Sequence, residues 1–137
     1  MYKHILLAVD GSENSLRAAQ DAVKVASEES LIELITVIPA EGIASQAVHE
    51  GTLDNLEAEY TQKVNTEQEY IQQNHTNSKL TIVHGPAGRM ISNYANNNKV
   101  DLVVIGCRGL NPMQVMVFGS VSTYVTKNAN CSTLLVK

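Results

Sequence analysis

Gly106, Gly109 and Gly119 stand at the spacing Gly-x2-Gly-x9-Gly, and Ser120 follows the third of them. The apolar run Val103-Val104-Ile105 leads into Gly106-Cys107-Arg108-Gly109, and Gly119-Ser120-Val121-Ser122 opens what reads as a helix. Backbone amides exposed by glycines beside a helix N-terminus form a site for an anion such as phosphate. Glycines at such spacing also serve simply to permit turns of positive φ. Ser120 adds a hydroxyl, and Arg108 is the one cation of the loop, readable as a phosphate ligand or as a solvated charge. Near the start of the chain Asp10 closes a second apolar run, ahead of Gly11-Ser12. A carboxylate there can accept from ribose hydroxyls, as the acidic residue of dinucleotide folds does, or act as a turn residue capping the next helix. The chemistry these residue types suggest is the holding of a nucleotide's phosphates.

Five apolar segments must position them. Residues 3–9 are a nearly continuous apolar run, as expected of a strand covered on both faces. Ser12 is placed to N-cap a helix over about 13–28, with Leu16, Ala19, Val23 and Ala26 as its apolar stripe. A strand over 31–38 stops at Pro39, and a loop rich in glycine and small polar residues follows over 39–52, long enough to be a lid or binding loop. One long helix is expected over about 53–74, with Leu53, Leu56, Tyr60, Val64 and Ile71 inward and Glu57, Glu59, Lys63 and Glu67 among its polar positions. A third strand at 79–84 ends at Gly85-Pro86, proline being well tolerated in the first turn of the helix that follows. Met90, Ile91, Tyr94 and Ala95 are that helix's expected buried side. A fourth strand at 101–106, a helix at about 119–128 and a fifth strand at 132–136 complete a β-α-β-α-β-α-β-α-β order. Alternation of this kind calls for a parallel sheet with helices on both faces and right-handed crossovers. Ligands then bind at the carboxyl ends of the strands where the strand order reverses, and Asp10 and Gly106 both lie at such ends.

The totals narrow the partners. The chain has 137 residues, enough to bury a core as a single domain, with 44% hydrophobic and 18% charged residues. A formal net charge of -4 without a lysine-arginine cluster argues against nucleic acid. The apolar runs are strand-length, far short of the roughly 20 residues of a membrane span, and the N-terminus lacks a signal-peptide hydrophobic region. Two cysteines, Cys107 and Cys131, form no CxxC, so neither a disulfide scaffold nor a zinc site is expected. His4, His49, His75 and His84 are scattered without metal-ligand spacing and read as structural or surface residues. A cytoplasmic protein is the expectation.

The glycine-serine spacing, the opening Ile5-Leu6-Leu7-Ala8-Val9-Asp10-Gly11-Ser12, the strand Leu34-Ile35-Thr36-Val37-Ile38-Pro39, the strand Val100 to Gly106, and the ending Cys131 to Val136 fall in one order along the whole chain. Together they resemble the ATP-binding branch of the universal stress protein family. The resemblance implies an α/β, flavodoxin-like or Rossmann-like fold with a five-stranded parallel sheet of order 3-2-1-4-5. It implies a single domain over 1–137 that binds ATP, with Mg²⁺, as a homodimer paired through the C-terminal strand. It assigns Ala8, Val9 and Asp10 to the edge of the nucleoside pocket, the Asp10 carboxylate near ribose or metal, and Val37 against adenine. Ile105 and Gly106 would line the pocket, with Arg108 in the loop and Gly109, Gly119, Ser120, Val121 and Ser122 at the phosphate end. Two positions depart from the family's pattern. Residues 110–118, Leu-Asn-Pro-Met-Gln-Val-Met-Val-Phe, lack the basic residue many relatives carry there, and Ser132 replaces a frequent proline. Losing a charge-assisted phosphate contact costs about 1.5–3 kcal/mol of affinity, so weak or metal-dependent binding is expected. The apolar loop residues Met113, Val115, Met116, Val117 and Phe118 suggest folding over a ligand or burial against a partner.

No GxxxxGK[ST] loop is present and no base is placed to activate water, so slow hydrolysis or none is expected. The competing reading is a dimeric interaction module that keeps the fold and binds no nucleotide. A phosphoacceptor domain would need clustered acids where this chain has only Asp10 and, on the third strand, His84-Gly85. A flavin-phosphate loop is disfavoured because Asp10 and Glu13 would repel the phosphate.

Overall fold

A computed structural model describes residues 1–39, 52–107 and 119–137, the side chains of residues 52 and 53 excepted. The elements in order are β1 (His4–Ala8), α1 (Glu13–Val25), β2 (Leu31–Ile38), α2 (Thr52–Lys63), α3 (Asn65–Asn74), β3 (Ser78–His84), α4 (Ala87–Asn97), β4 (Leu102–Gly106), α5 (Ser120–Asn128) and β5 (Ser132–Val136). The strands form one sheet of order β3-β2-β1-β4-β5, with every neighbouring pair parallel. The order expected from the sequence is the order found.

Side chains alternate across a strand with a period of two, so the central strands feed two cores at once. Ile5, Leu7 and Val9 of β1 join Ile32, Leu34 and Val104 in one core, which includes Ala18, Ala19 and Ala22 of α1 and Ile71 of α3. Leu6 and Ala8 join Ile35, Val103 and Ile105 in the other, with Ile91 and Ala95 of α4 and Val125 of α5. This double coverage is why residues 5–9 are apolar without interruption: all five are buried.

Three expectations change. The helix over 53–74 is two helices, divided at the buried Val64, whose φ of -103° and ψ of 14° are not helical. The turn after β1 packs against this break. Gly11 has a φ of +86°, and a Cβ there would lie 2.6 Å from the carbonyl oxygen of Lys63. Second, Glu67 is not a polar position between apolar ones but 1% exposed. It follows Val64 by three residues and precedes Ile71 by four, so helical periodicity places all three on one face. Third, α1 stops at Val25 and buries Ser15, Ala18, Ala19 and Ala22, while Leu16 and Val23 flank that stripe half-buried. Small side chains let α1 approach the sheet closely. Ser12 caps the helix as expected, its Oγ accepting from the Ser15 amide at 3.1 Å.

The amino ends of the strands are tied by Glu33, which sits inside the apolar run of β2. Its carboxylate accepts from His4 Nε2 at 2.7 Å, from Tyr94 OH at 2.5 Å and from Thr81 Oγ1, with Lys79 Nζ at 3.8 Å. Burial by itself raises the Glu33 pKa, but the bonds from Thr81, Tyr94 and His4 and the charge of Lys79 outweigh it and hold the carboxyl below its ordinary value. Burial and the bond to Glu33 push the Tyr94 phenol up. Of the histidines described, His4 serves Glu33, His75 Nε2 donates to the Ser30 carbonyl at 2.6 Å, and His84 Nε2 lies 3.1 Å from Glu57 Oε1 without forming a hydrogen bond. His49 lies outside the described residues.

Candidate functional site

β1 and β4 lie side by side in the centre of the sheet, and the chain leaves them toward opposite faces, into α1 and α5. That is the switch point at which doubly wound sheets open a crevice. A cavity of about 410 Å³ occupies it, within the size range of small-molecule sites. Ala8, Val9 and Asp10 line it from β1 and the turn after it. Val37 lines it from β2, Ile105 and Gly106 from β4, and Gly119, Ser120, Val121 and Ser122 from the start of α5. Ten of the twelve residues singled out in the sequence therefore surround one crevice. Arg108 and Gly109 lie outside the described residues, as do the loop residues 110–118 and residues 40–51 of the candidate lid.

The two described glycines of the motif have different reasons. Gly106 answers a steric demand: a Cβ there would fall 2.6 Å from the carbonyl oxygen of Asn14 in the first turn of α1. Gly119 is the N-cap of α5 at φ -67° and ψ 158°, extended backbone open to any residue. It makes no side-chain cap, which leaves the first-turn amides of α5 without the usual local acceptor. Amides so placed carry the positive end of the helix dipole. The Ser120 side chain is exposed at this terminus. Ser122 is turned the other way, its Oγ donating to the Gly119 carbonyl at 3.0 Å, so its one hydroxyl hydrogen is committed inside the helix.

Asp10 is exposed and holds the opposite rim. Its Oδ1 accepts from the Ser12 amide at 3.0 Å, which makes it the turn residue that the sequence also allowed. A carboxylate has about four acceptor sites, so this bond does not exhaust it. A single exposed carboxylate suits Mg²⁺, which is commonly held by one or two carboxylates together with substrate phosphates. Among the described residues no group of three or more His, Cys, Asp or Glu could hold a metal by itself.

Sequence reasoning missed two residues here. Glu67 of α3 fixes the Asp10 turn from below, its Oε2 accepting from the Gly11 amide and from Ser15 Oγ, each at 2.8 Å. Ser15 Oγ in turn accepts from the Asp10 amide at 3.1 Å. The signal was the spacing of Val64, Glu67 and Ile71. Lys63, at the end of α2, lines the crevice together with Tyr60, its Nζ 4.7 Å from the centre of that ring. No local pattern marks it, because it reads as an ordinary last-turn lysine. Cys107 also lines the crevice, buried, with Sγ donating to the Val136 carbonyl at 3.4 Å.

The fold and this crevice define a doubly wound α/β domain with an anion-competent helix terminus at its switch point. The model of the universal stress protein family matches residues 1–137, and the chain belongs to that family. Universal stress protein Sll1388 of Synechocystis is 30% identical, the match covering 99% of this chain and 98% of the relative. The solved structure of hypothetical protein MJ0577 superposes with a TM-score of 0.80 at 27% identity, over 100% of this chain and 96% of that one. Two more distant structures share the fold. A universal stress protein in complex with cAMP has a TM-score of 0.65 at 21% identity over 98% of this chain and 96% of its own. A family member from Arabidopsis thaliana with AMP bound has 0.69 at 16% over 98% and 91%.

Proposed function

We propose that this chain binds an adenine nucleotide, ATP with Mg²⁺, and acts as a regulatory protein of the stress response in the cytoplasm, as one domain over 1–137. The observation that carries the reading is the meeting, across one crevice of about 410 Å³, of Asp10 with the uncapped amino end of α5. Val37 and Ile105 offer apolar wall to a base, Asp10 an acceptor to ribose or a carboxylate to Mg²⁺, and the amides of Ser120 and Val121 a seat for phosphate. Arg108 and Gly109 complete the phosphate end in this reading. The cAMP and AMP complexes of family members with this fold support an adenine compound as the ligand.

Turnover is slow or absent in this proposal, because the sequence carries no GxxxxGK[ST] loop and Asp10 is the sole carboxylate among the described residues that line the crevice. Ser15, the buried hydroxyl beside Asp10, is already committed to Glu67. Association through β5 accompanies it. The sheet order leaves β5 an edge strand, and Leu134 and Leu135 are only half-buried. An unpaired apolar edge is what proteins avoid by pairing.

Nucleotide released from the purified, denatured protein and identified by mass spectrometry, followed by calorimetric titration with the same compound, tests the reading. An adenine nucleotide and a micromolar dissociation constant are expected. Folded protein that gives no heat with ATP, AMP or cAMP overturns it and favours the nucleotide-free interaction module.

A further inference from the structure

We infer that Lys63, on the Asp10 side of the crevice, adds a positive charge beyond that of the glycine motif, and so makes the crevice favour a polyphosphate over a single phosphate. The inference rests on the nucleotide reading above and adds to it a residue outside the glycine motif. Among the described residues that line the crevice, Lys63 is the sole cation and Asp10 the sole carboxylate. A polyphosphate that reaches from the α5 terminus toward Asp10 is attracted by the first and repelled by the second, so a positive group on the Asp10 side raises the phosphate charge the site tolerates.

Lys63 is held firmly by its backbone and only loosely at its tip. The Lys63 carbonyl lies where only a glycine fits at position 11, 2.6 Å from the place a Cβ would take, so its main chain is anchored beside the Asp10 turn. The side chain is exposed, and its ammonium rests over the Tyr60 ring, 4.7 Å from the centroid. An exposed seat of this kind is weak, and a charge-assisted bond to phosphate is the stronger attachment. A lysine that merely complements the carboxyl end of α2 would be indifferent to the ligand's charge. That difference is measurable.

Calorimetric titrations of the full chain with ATP, AMP and adenosine in Mg²⁺ buffer, for wild type, Lys63→Gln and Lys63→Arg, test it. Lys63→Gln is expected to weaken ATP by about tenfold, AMP by less, and adenosine by under about twofold. Lys63→Arg is expected to keep the ATP preference, and all three proteins to melt together because the side chain is exposed. If Lys63→Gln binds ATP as tightly as wild type, or loses ATP and adenosine in equal measure, the inference fails while the nucleotide reading stands. Wild type that binds ATP no better than adenosine also removes the role of Lys63. Wild type that binds none of the three overturns the nucleotide reading and the inference together.

Discussion

At the amino ends of the strands Glu33 is 0% exposed and accepts from His4, Thr81 and Tyr94, which come from β1, β3 and α4. At the carboxyl ends Glu67 is 1% exposed and accepts from the Gly11 amide and Ser15 Oγ, at the turn into α1 and in its first turn. Both are buried acids that accept more than one hydrogen bond, the condition under which a buried polar group is tolerated. They differ in what they hold. Glu33 joins elements to one another and closes its end of the sheet. Glu67 holds a turn whose other side faces an open crevice. One end of the molecule uses a buried acid for cohesion, and the other uses one to fix the position of Asp10.

This contrast can be broken by substitution. Glu33→Ala should have the largest effect on stability, about 3 kcal/mol in urea unfolding, because it leaves the half-buried hydroxyls of Thr81 and Tyr94 and the His4 ring without their shared acceptor. Nucleotide affinity should be unchanged, so a variant that unfolds at wild-type urea would dissolve the distinction. Glu67→Ala should cost less, about 1–2 kcal/mol, since Gly11 is an exposed residue and its amide bond to Glu67 is only part-buried. It should also weaken ATP binding, and intact binding in a calorimetric titration would show that the Asp10 turn does not need its support. Gly106→Ala should cost about 1 kcal/mol or more as α1 yields to the new methyl group, with a loss of ATP affinity read in the same titration.

The smallest effect concerns pH. The Glu33 carboxyl is held below its ordinary value of 4.5 in the folded state. Its contribution to stability is therefore fully present above that ordinary value and is lost as pH falls through the lowered folded value. Unfolding free energies measured from about pH 5 downward should fall more steeply for wild type than for Glu33→Gln. Parallel curves would mean that Glu33 is not the carboxylate that responds.

Much of this was legible in the residues. Strands buried on both faces must be continuously apolar, so residues 5–9 and 102–105 announced themselves, and strict alternation with helices left a parallel doubly wound sheet as the architecture. Asp10, Gly106 and the Gly119-Ser120 step were legible because strand ends and helix starts are local features. Glu67 was half-legible: its spacing from Val64 and Ile71 is helical, but a charged residue is ordinarily placed outward. The break at Val64 was not legible, since no proline or glycine marks it and its companion, Gly11, is more than fifty residues away.

The sequence by itself determined the succession of strands, the family and the residues at the strand ends, because each follows from periodicity or from a short motif. The tertiary structure alone decided that Gly106 is required by the Asn14 carbonyl, that Glu67 holds the Asp10 turn, and that Lys63 stands at the rim of the crevice. Those three facts are contacts between segments distant in the chain. Their energies depend on distances set by packing, which no local pattern encodes.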